Sequence, residues 1–205
     1  IESPTWKASV TQARADYLGF MGIELGIKDY PMHKISAYLR ANLPSDAIIT
    51  NGAGNYTIWG QRFYQFTSYP SQLAPTSGAM GYGVPAGIGA KIAEPDRTVI
   101  TFAGDGCFMM NGQEFATAVQ HNANVIIIVV DNGCFGTIRM HQEREYPDRV
   151  ISTGLNNPDF AALARAYGGF GITVEDAEQF PAAFEEARNS GQPALIHMKV
   201  PNIWE

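Results

Sequence analysis

Apolar runs alternate with stretches of helical periodicity along most of the chain. Two apolar runs, Thr98–Ala103 and Val125–Val130, are predicted to be strands, and Asn111–Asn124 between them has the length and make-up of one helix. A strand–helix–strand crossover returns the chain parallel to its start and beside it. The polar residues that follow the two strands should therefore emerge together at the carboxyl edge of one sheet, where α/β proteins bind ligands.

The same alternation continues on both sides of this unit. Further strands are predicted at Ala47–Thr50, Gln65–Tyr69, Gly171–Val174 and Ala194–Val200. Further helices are predicted at Met32–Asn42, Gly78–Ile92, Phe160–Tyr167 and Ala177–Asn189. Strands that alternate with helices indicate an α/β fold of three layers, in which a mostly parallel sheet carries helices on both faces.

The first 29 residues differ from the rest of the chain in pattern. They are mixed in composition, with Val10, Ala13, Tyr17 and Phe20 at helical spacing. We predict that residues 1–29 are a lead-in linker or helix from an upstream domain, and that residues 30–205 form one domain. The chain of 205 residues is long enough for a domain with a sizeable core.

Oxygen-bearing side chains follow the two central strands. Gly104-Asp105-Gly106 comes after the first strand and Asp131-Asn132 after the second. Such ligands suit a hard divalent cation such as Mg²⁺, which takes few protein ligands and adds phosphate oxygens. No Lys or Arg occurs between Thr98 and Arg139, so side-chain cations cannot balance a pyrophosphate at this loop. An Asp would repel a phosphate without a metal between them, and this favours a metal-bridged diphosphate.

Composition narrows the class of protein further. The net charge of −6 and the lack of a basic cluster argue against nucleic acid as a partner. No apolar run approaches the ~20 residues that a membrane span needs, so we expect no membrane partner. Cys107 and Cys134 are too few for a disulfide framework, and we predict two reduced thiols in a cytoplasmic protein.

Three segments carry a resemblance to a known family. Gly104–Glu114 (GDGCFMMNGQE) and Asp131–Thr137 (DNGCFGT) together resemble the thiamine diphosphate (ThDP) binding motif, a GDG triplet followed at this spacing by two asparagines. Asp131 replaces the first of those asparagines, and Asn132 keeps the second. Ser77–Ala90 is similar to the segment under the aminopyrimidine ring in acetolactate synthase-like enzymes, and Gly54–Trp59 is similar to their first diphosphate loop.

The resemblance implies two cofactors, ThDP and Mg²⁺, and a set of binding residues. The metal ligands would be the side chains of Asp105 and Asn132 and the main-chain carbonyl of Cys134. Gly78 would accept a hydrogen bond from the pyrimidine amino group, and Met80 would support the bent cofactor. Further cofactor contacts are implied for Gly54, Asn55, Tyr56, Gly104, Gly106, Cys107, Phe135 and Gly136.

The resemblance also implies an activity. It is that of a ThDP-dependent lyase or transferase, a decarboxylase or carboligase acting on a small 2-oxo acid. The glutamate that activates the cofactor belongs in this family to a separate pyrimidine-binding domain, so we expect no catalytic residue in this chain and no activity from it alone. We expect a homodimer or homotetramer, and a poorly ordered loop at Asp131–Tyr146.

Two other classes of function stay open. The first is a non-catalytic module of the same fold that acts in protein–protein assembly. The second is a nicotinamide-dependent dehydrogenase domain, which would bind NAD in the absence of metal.

Overall fold

The computed structural model describes residues 6–21 and 30–202. Its strands are β1 Ile48–Asn51, β2 Gln72–Leu73, β3 Val99–Gly104, β4 Ile126–Asp131, β5 Phe170–Val174 and β6 Ala194–Lys199. Its α-helices are α1 Lys7–Met21, α2 Pro31–Asn42, α3 Thr57–Phe63, α4 Gly83–Ala93, α5 Asp105–Asn111, α6 Phe115–Gln120, α7 Gly136–Glu145, α8 Phe160–Ala166 and α9 Phe180–Asn189. Two short 3₁₀ helices cover Gly112–Glu114 and Ala177–Gln179.

The described strands form one parallel sheet in the order β2-β1-β3-β4-β6-β5. The central strands β3 and β4 are buried along their whole length, which explains why each is an unbroken apolar run. Ile126 and Ile128 face the layer of α2, α3 and α9, while Ile127 and Val129 face the layer of α4, α6 and α8. The predicted three-layer α/β fold is therefore confirmed.

The crossover from β3 to β4 places the polar residues as predicted. Gly104 is the register partner of Val130, so the two strands end at the same level of the sheet. Asp105 follows directly after β3, and Asp131 is the last residue of β4. Both carboxylates therefore lie at the carboxyl edge of adjacent strands.

The single helix predicted at Asn111–Asn124 is wrong. The segment is divided into α5, which begins at Asp105, the 3₁₀ turn Gly112–Glu114 and α6. Asn111 donates its side-chain amide to the carbonyl of Gly81, which ties the end of α5 to a distant loop. A Cβ at Gly112 would lie 2.6 Å from the Phe108 ring, so the chain turns at a residue that lets the ring pack against backbone.

Three other predicted elements also differ from the structure. The helix predicted from Gly78 begins only at Gly83, because Gly78 and Gly81 have left-handed φ values of 66° and 82°. The segment Gln65–Tyr69 is not a strand; the hydroxyls of its Thr67 and Ser68 bond to the Ser45 carbonyl, and the edge strand is β2. The segment Asp131–Tyr146, expected to be a poorly ordered loop, contains helix α7.

The lead-in segment is helical where the structure describes it. Helix α1 exposes Val10, Leu18 and Phe20. Residues 1–5 and 22–29 lie outside the described residues, and the proposed boundary at residue 29 stays a prediction. No helix within residues 6–21 and 30–202 combines the length and apolar character that crossing a bilayer requires.

Candidate cofactor-binding site

A cavity of about 810 Å³ opens at the carboxyl edge of β1, β3 and β4. It is lined by the segments that follow these three strands, including the start of α5, by α3, by the first half of α7 and by the segment before α4. All the residues for which the sequence predicted a cofactor contact line this one cavity: Gly54, Asn55, Tyr56, Gly78, Met80, Gly104, Asp105, Gly106, Cys107, Asn132, Cys134, Phe135 and Gly136. The fold thus unites segments that lie far apart in the sequence.

Asp105 is the only charged side chain among the described residues that line this cavity. No Lys, Arg or His is part of that lining, and much of the wall is apolar, including Trp59, Phe63 and Ile138. An anionic ligand in this cavity would find no side-chain cation. A divalent cation held by Asp105 would supply the missing positive charge.

The Asp105 carboxylate is buried and bonded only to uncharged donors among the described residues. Oδ1 accepts from the Gly106 backbone N–H at 2.8 Å, and Oδ2 accepts from the Asn157 side-chain amide at 2.8 Å. Burial raises the pKa of Asp105 to about 6, although these two hydrogen bonds act in the opposite direction. The Asp105 carboxylate therefore has no positively charged partner among the described residues, and its remaining lone pairs can bind a ligand.

The turn after β4 presents the other two predicted ligands. The Asn132 side-chain oxygen accepts from the Cys134 backbone N–H at 3.3 Å, and the Cys134 carbonyl accepts from the Gly136 N–H at 2.9 Å. A carbonyl oxygen has two lone pairs and can interact with more than one partner. The turn is fixed from outside by a backbone hydrogen bond from Phe135 to Thr153. The donor set of one carboxylate, one amide oxygen and one carbonyl fits Mg²⁺.

The glycines of the GDG triplet accommodate two aromatic rings of the chain itself. A Cβ at Gly104 would lie 2.7 Å from the Tyr56 ring, and a Cβ at Gly106 would lie 2.5 Å from the Phe135 ring. Larger side chains are excluded at these two positions, because both rings pack directly on the backbone in the wall of the cavity.

Tyr56 connects the first loop to the GDG segment. Its hydroxyl accepts from the Gly52 N–H at 3.0 Å and donates to the Cys107 sulfur at 3.3 Å. The Cys107 thiol in turn donates to the Ala53 carbonyl at 3.0 Å. Burial raises the pKa of Tyr56 far above its usual value, so the hydroxyl stays neutral. Cys107 and Cys134 are both buried, and no disulfide joins them.

A second contact joins the first loop to α7. The Asn55 N–H donates to the Thr137 hydroxyl at 3.1 Å, and that hydroxyl donates to the Asn55 side-chain oxygen at 2.9 Å. Helix α7 has no buried residue. Polar contacts at its ends therefore hold it, since Gln142 also exchanges two hydrogen bonds with the backbone of Ile151.

Sequence reasoning missed a polar network behind the Asp105 loop. The Asp131 carboxylate accepts from His197 Nε2 at 2.7 Å, from Lys199 Nζ at 2.6 Å and from Asn157 Nδ2 at 2.7 Å. Burial raises the pKa of Asp131, but these hydrogen bonds outweigh it and hold the pKa below its usual value. The sequence signal for this network is the carboxylate of Asp131 in place of the first asparagine of the motif, because a buried carboxylate favours a cationic partner.

The predicted metal site is not a cluster of ionisable side chains. Within residues 6–21 and 30–202, no group of three or more His, Cys, Asp or Glu is arranged to hold a metal. The predicted ligands Asn132 and Cys134 would instead contribute an amide and a carbonyl oxygen. Their role as ligands stays a prediction.

Comparison with known proteins relates this cavity to one family. The profile of the family described as "Thiamine pyrophosphate enzyme, C-terminal TPP binding domain" matches residues 52–198. The chain is 35% identical over 167 residues to the acetolactate synthase isozyme 2 large subunit of Escherichia coli (strain K12), covering 78% of this chain and 30% of that protein. It is also 31% identical over 170 residues to the putative thiamine pyrophosphate-containing protein YdaP of Bacillus subtilis (strain 168). That match covers 82% of this chain and 29% of YdaP.

A solved structure shares the fold. It is the thiamine diphosphate-dependent 4-hydroxybenzoylformate decarboxylase of Rhodococcus jostii RHA1, with a TM-score of 0.76 and 32% sequence identity over 83% of this chain. That match covers 32% of the decarboxylase chain. The chain therefore spans about a third of the length of the relatives that it matches.

Proposed function

The chain belongs to the family of C-terminal TPP-binding domains of thiamine pyrophosphate enzymes, and from that membership we propose that its cavity binds the diphosphate of ThDP through Mg²⁺. The whole protein would be an acetolactate synthase-like decarboxylase or carboligase that acts on a 2-oxo acid. One observation carries the proposal. The predicted binding residues share one cavity whose described lining has a single charged side chain, Asp105.

Each group of residues has a defined task in this proposal. Asp105, Asn132 and the Cys134 carbonyl hold the metal, and the first turn of α7 offers backbone N–H groups to the phosphate oxygens. Met80 supports the cofactor, and apolar walls such as Trp59 exclude water. Bound ThDP supplies the carbanion chemistry, while the protein fixes its geometry.

In this proposal the cofactor-binding residues and the catalytic acid–base group belong to different domains. No glutamate is among the described residues that line the cavity. A glutamate of an upstream pyrimidine-binding domain supplies the missing acid–base group, which typically contributes about 10²–10⁴-fold in rate. The isolated chain therefore turns over no 2-oxo acid above the rate of free ThDP. NMR exchange of the cofactor C2 proton, with and without the chain, measures this, and acceleration by the chain alone would contradict it.

Exposed apolar residues near the cavity support assembly with a partner domain or subunit. Ile58 and Ile138 line the cavity and are about half exposed, and Met109 and Met110 are exposed on α5. We propose a homodimer or homotetramer on this basis. We also propose a cytoplasmic location, since two cysteines that form no disulfide suit a reducing compartment.

The metal assignment is tested by Asp105→Ala in the full chain. Removing the one charged ligand should abolish Mg²⁺-dependent ThDP binding, as measured by calorimetry, while circular dichroism shows an intact fold. Asp96→Ala is the matched control, because Asp96 is exposed and lies away from the cavity. Unchanged ThDP affinity in Asp105→Ala would refute the assignment. Binding of NAD without metal would instead support a dehydrogenase domain.

A further inference from the structure

One amide group joins the two carboxylates at the sheet edge. Asn157 Nδ2 donates to Asp105 Oδ2 at 2.8 Å and to Asp131 Oδ1 at 2.7 Å. An amide nitrogen carries two N–H bonds, and each carboxylate takes one. The opposite orientation would set the amide oxygen against two acceptors, so the partners themselves fix the side chain. Asn157 is thus held by Asp131 and can in turn hold Asp105.

Asp131 is a fixed support in this arrangement. The parallel register pairs Asp131 with Lys199, and His197 lies on the same face two residues earlier on β6. Besides its bonds to these residues and Asn157, Asp131 accepts from the Gly133 N–H at 3.0 Å. A carboxylate accepts about four hydrogen bonds, so Asp131 has no site left for a metal.

Asp105 differs in that the described residues use only two of its acceptor sites. We propose that Asn157 is a positioning residue that orients the Asp105 carboxylate toward the metal, with Asp131, His197 and Lys199 as its rigid support. The inference rests on the proposed Mg²⁺–ThDP site and assigns it a residue outside the family motif. Partners that hydrogen-bond to metal ligands fix their orientation, and losing one typically lowers metal affinity about 10–100-fold.

The test measures how much Mg²⁺ is needed for ThDP binding by the full chain. Asn157→Leu keeps a similar volume but removes both N–H donors. The Mg²⁺ concentration for half-saturation should rise about 10–100-fold, and saturating Mg²⁺ should restore full ThDP stoichiometry. A purely structural role would lower the melting temperature or the competent fraction without that shift. Asn157→Gln keeps the amide but displaces it by one methylene, so its Mg²⁺ affinity should lie between those of the wild type and Asn157→Leu. If Asn157→Leu does not fold, a Mg²⁺ affinity of Asn157→Gln equal to that of the wild type would overturn the positioning role.

Two matched comparisons separate the possible outcomes. Asn156→Ala changes the exposed neighbour on the same loop and should leave the Mg²⁺ dependence unchanged. Asp131→Asn keeps an acceptor for Asn157 and should bind Mg²⁺ nearly as the wild type does, whereas Asp131→Leu should weaken binding as Asn157→Leu does. Equal Mg²⁺ dependence in the wild type and Asn157→Leu overturns the positioning role alone. Lack of Mg²⁺-dependent ThDP binding in the wild type overturns the proposed function, and the positioning role with it.

Discussion

Asp105 and Asp131 lie at the carboxyl ends of neighbouring strands and share one amide, yet their surroundings differ in charge. Both are buried, with 3% and 4% of their surface exposed. Asp131 is bonded by the Lys199 ammonium, the His197 ring and two further donors. Asp105 is bonded by a backbone N–H and the Asn157 amide, both uncharged.

The difference in partners changes the titration of the two groups. Burial raises both pKa values, but at Asp131 the hydrogen bonds from His197, Lys199 and Asn157 outweigh it, so this pKa lies below its usual value. At Asp105 burial prevails and the pKa is about 6. One buried carboxylate is thus compensated within the chain. The other keeps an unbalanced charge, which is what a site for a divalent cation requires.

A clear loss of stability is expected when Asp131 loses its cation. Lys199→Met leaves a buried carboxylate without a charged partner. Breaking a buried pair costs roughly 3–5 kcal/mol, and because Lys199 is half exposed we expect about 2 kcal/mol of unfolding free energy at pH 7. Urea denaturation of metal-free protein measures it. Lys7→Met, on the exposed helix α1, is the control.

The pH dependence of this variant follows from the sign of the Asp131 shift. The folded pKa lies below the unfolded value of about 4, so the stabilisation is complete above pH 4 and is lost as the pH falls through the folded value. The difference between wild type and Lys199→Met should therefore narrow in acid. A gap that stays constant from pH 7 to pH 3 would contradict a depressed pKa for Asp131.

Asp105→Asn should have the opposite effect in the absence of metal. The folded pKa of about 6 exceeds the unfolded value of about 4, so the wild type loses stability as the pH rises from 4 to 6. The neutral amide avoids this loss, but its single oxygen replaces only one of the two acceptor oxygens of Asp105, which costs about 1 kcal/mol. The variant should therefore be more stable by about 1–2 kcal/mol at pH 7. At pH 4 the gain should vanish.

Mg²⁺ and ThDP should reverse that order of stability. Ligands that bind only the folded state stabilise it, and the wild type alone keeps the charged metal ligand Asp105. Melting temperatures of both proteins, with and without Mg²⁺–ThDP, give the comparison. A variant less stable than the wild type in both conditions would mean that the Asp105 carboxylate is already compensated inside the chain.

The sequence predicted the parts of this site that depend on local pattern and topology. Strands β3 and β4 are continuous apolar runs, and the parallel crossover between them brings Asp105 and Asn132 to one edge. The 3₁₀ turn at Gly112–Glu114, which separates α5 from α6, could not be predicted. It follows a residue, Asn111, whose side chain bonds to Gly81 across the fold. Local helical pattern carries no information about such a contact.

The hydrogen bond from Asn157 to Asp105 could not be predicted for a similar reason. Asn157 lies 52 residues from Asp105 and 26 from Asp131, on a loop whose path no local pattern specifies. Its sequence context, Asn-Pro-Asp before α8, is typical of the start of a helix and gives no indication of a contact with Asp105. The pairing of Asp131 with Lys199 follows from the β4–β6 register, which requires the strand order to be known.

The smallest effect is expected for Asp131→Asn, which restores the asparagine pair of the family motif. The new side chain keeps one oxygen to accept from Asn157, and the half-exposed Lys199 can turn its ammonium to water. The free energy of unfolding should fall by about 1 kcal/mol, which is the net contribution of a typical hydrogen bond. Asp131→Leu, by contrast, leaves the part-buried Gly133 N–H, one N–H of the Asn157 amide and the buried His197 ring without this acceptor. A buried group left without a partner costs roughly 1–3 kcal/mol, so the loss should exceed that of Asp131→Asn. Denaturation of both variants measures the contrast. Equal losses would mean that the negative charge of Asp131, and not its role as an acceptor for the surrounding donors, stabilises this edge of the sheet.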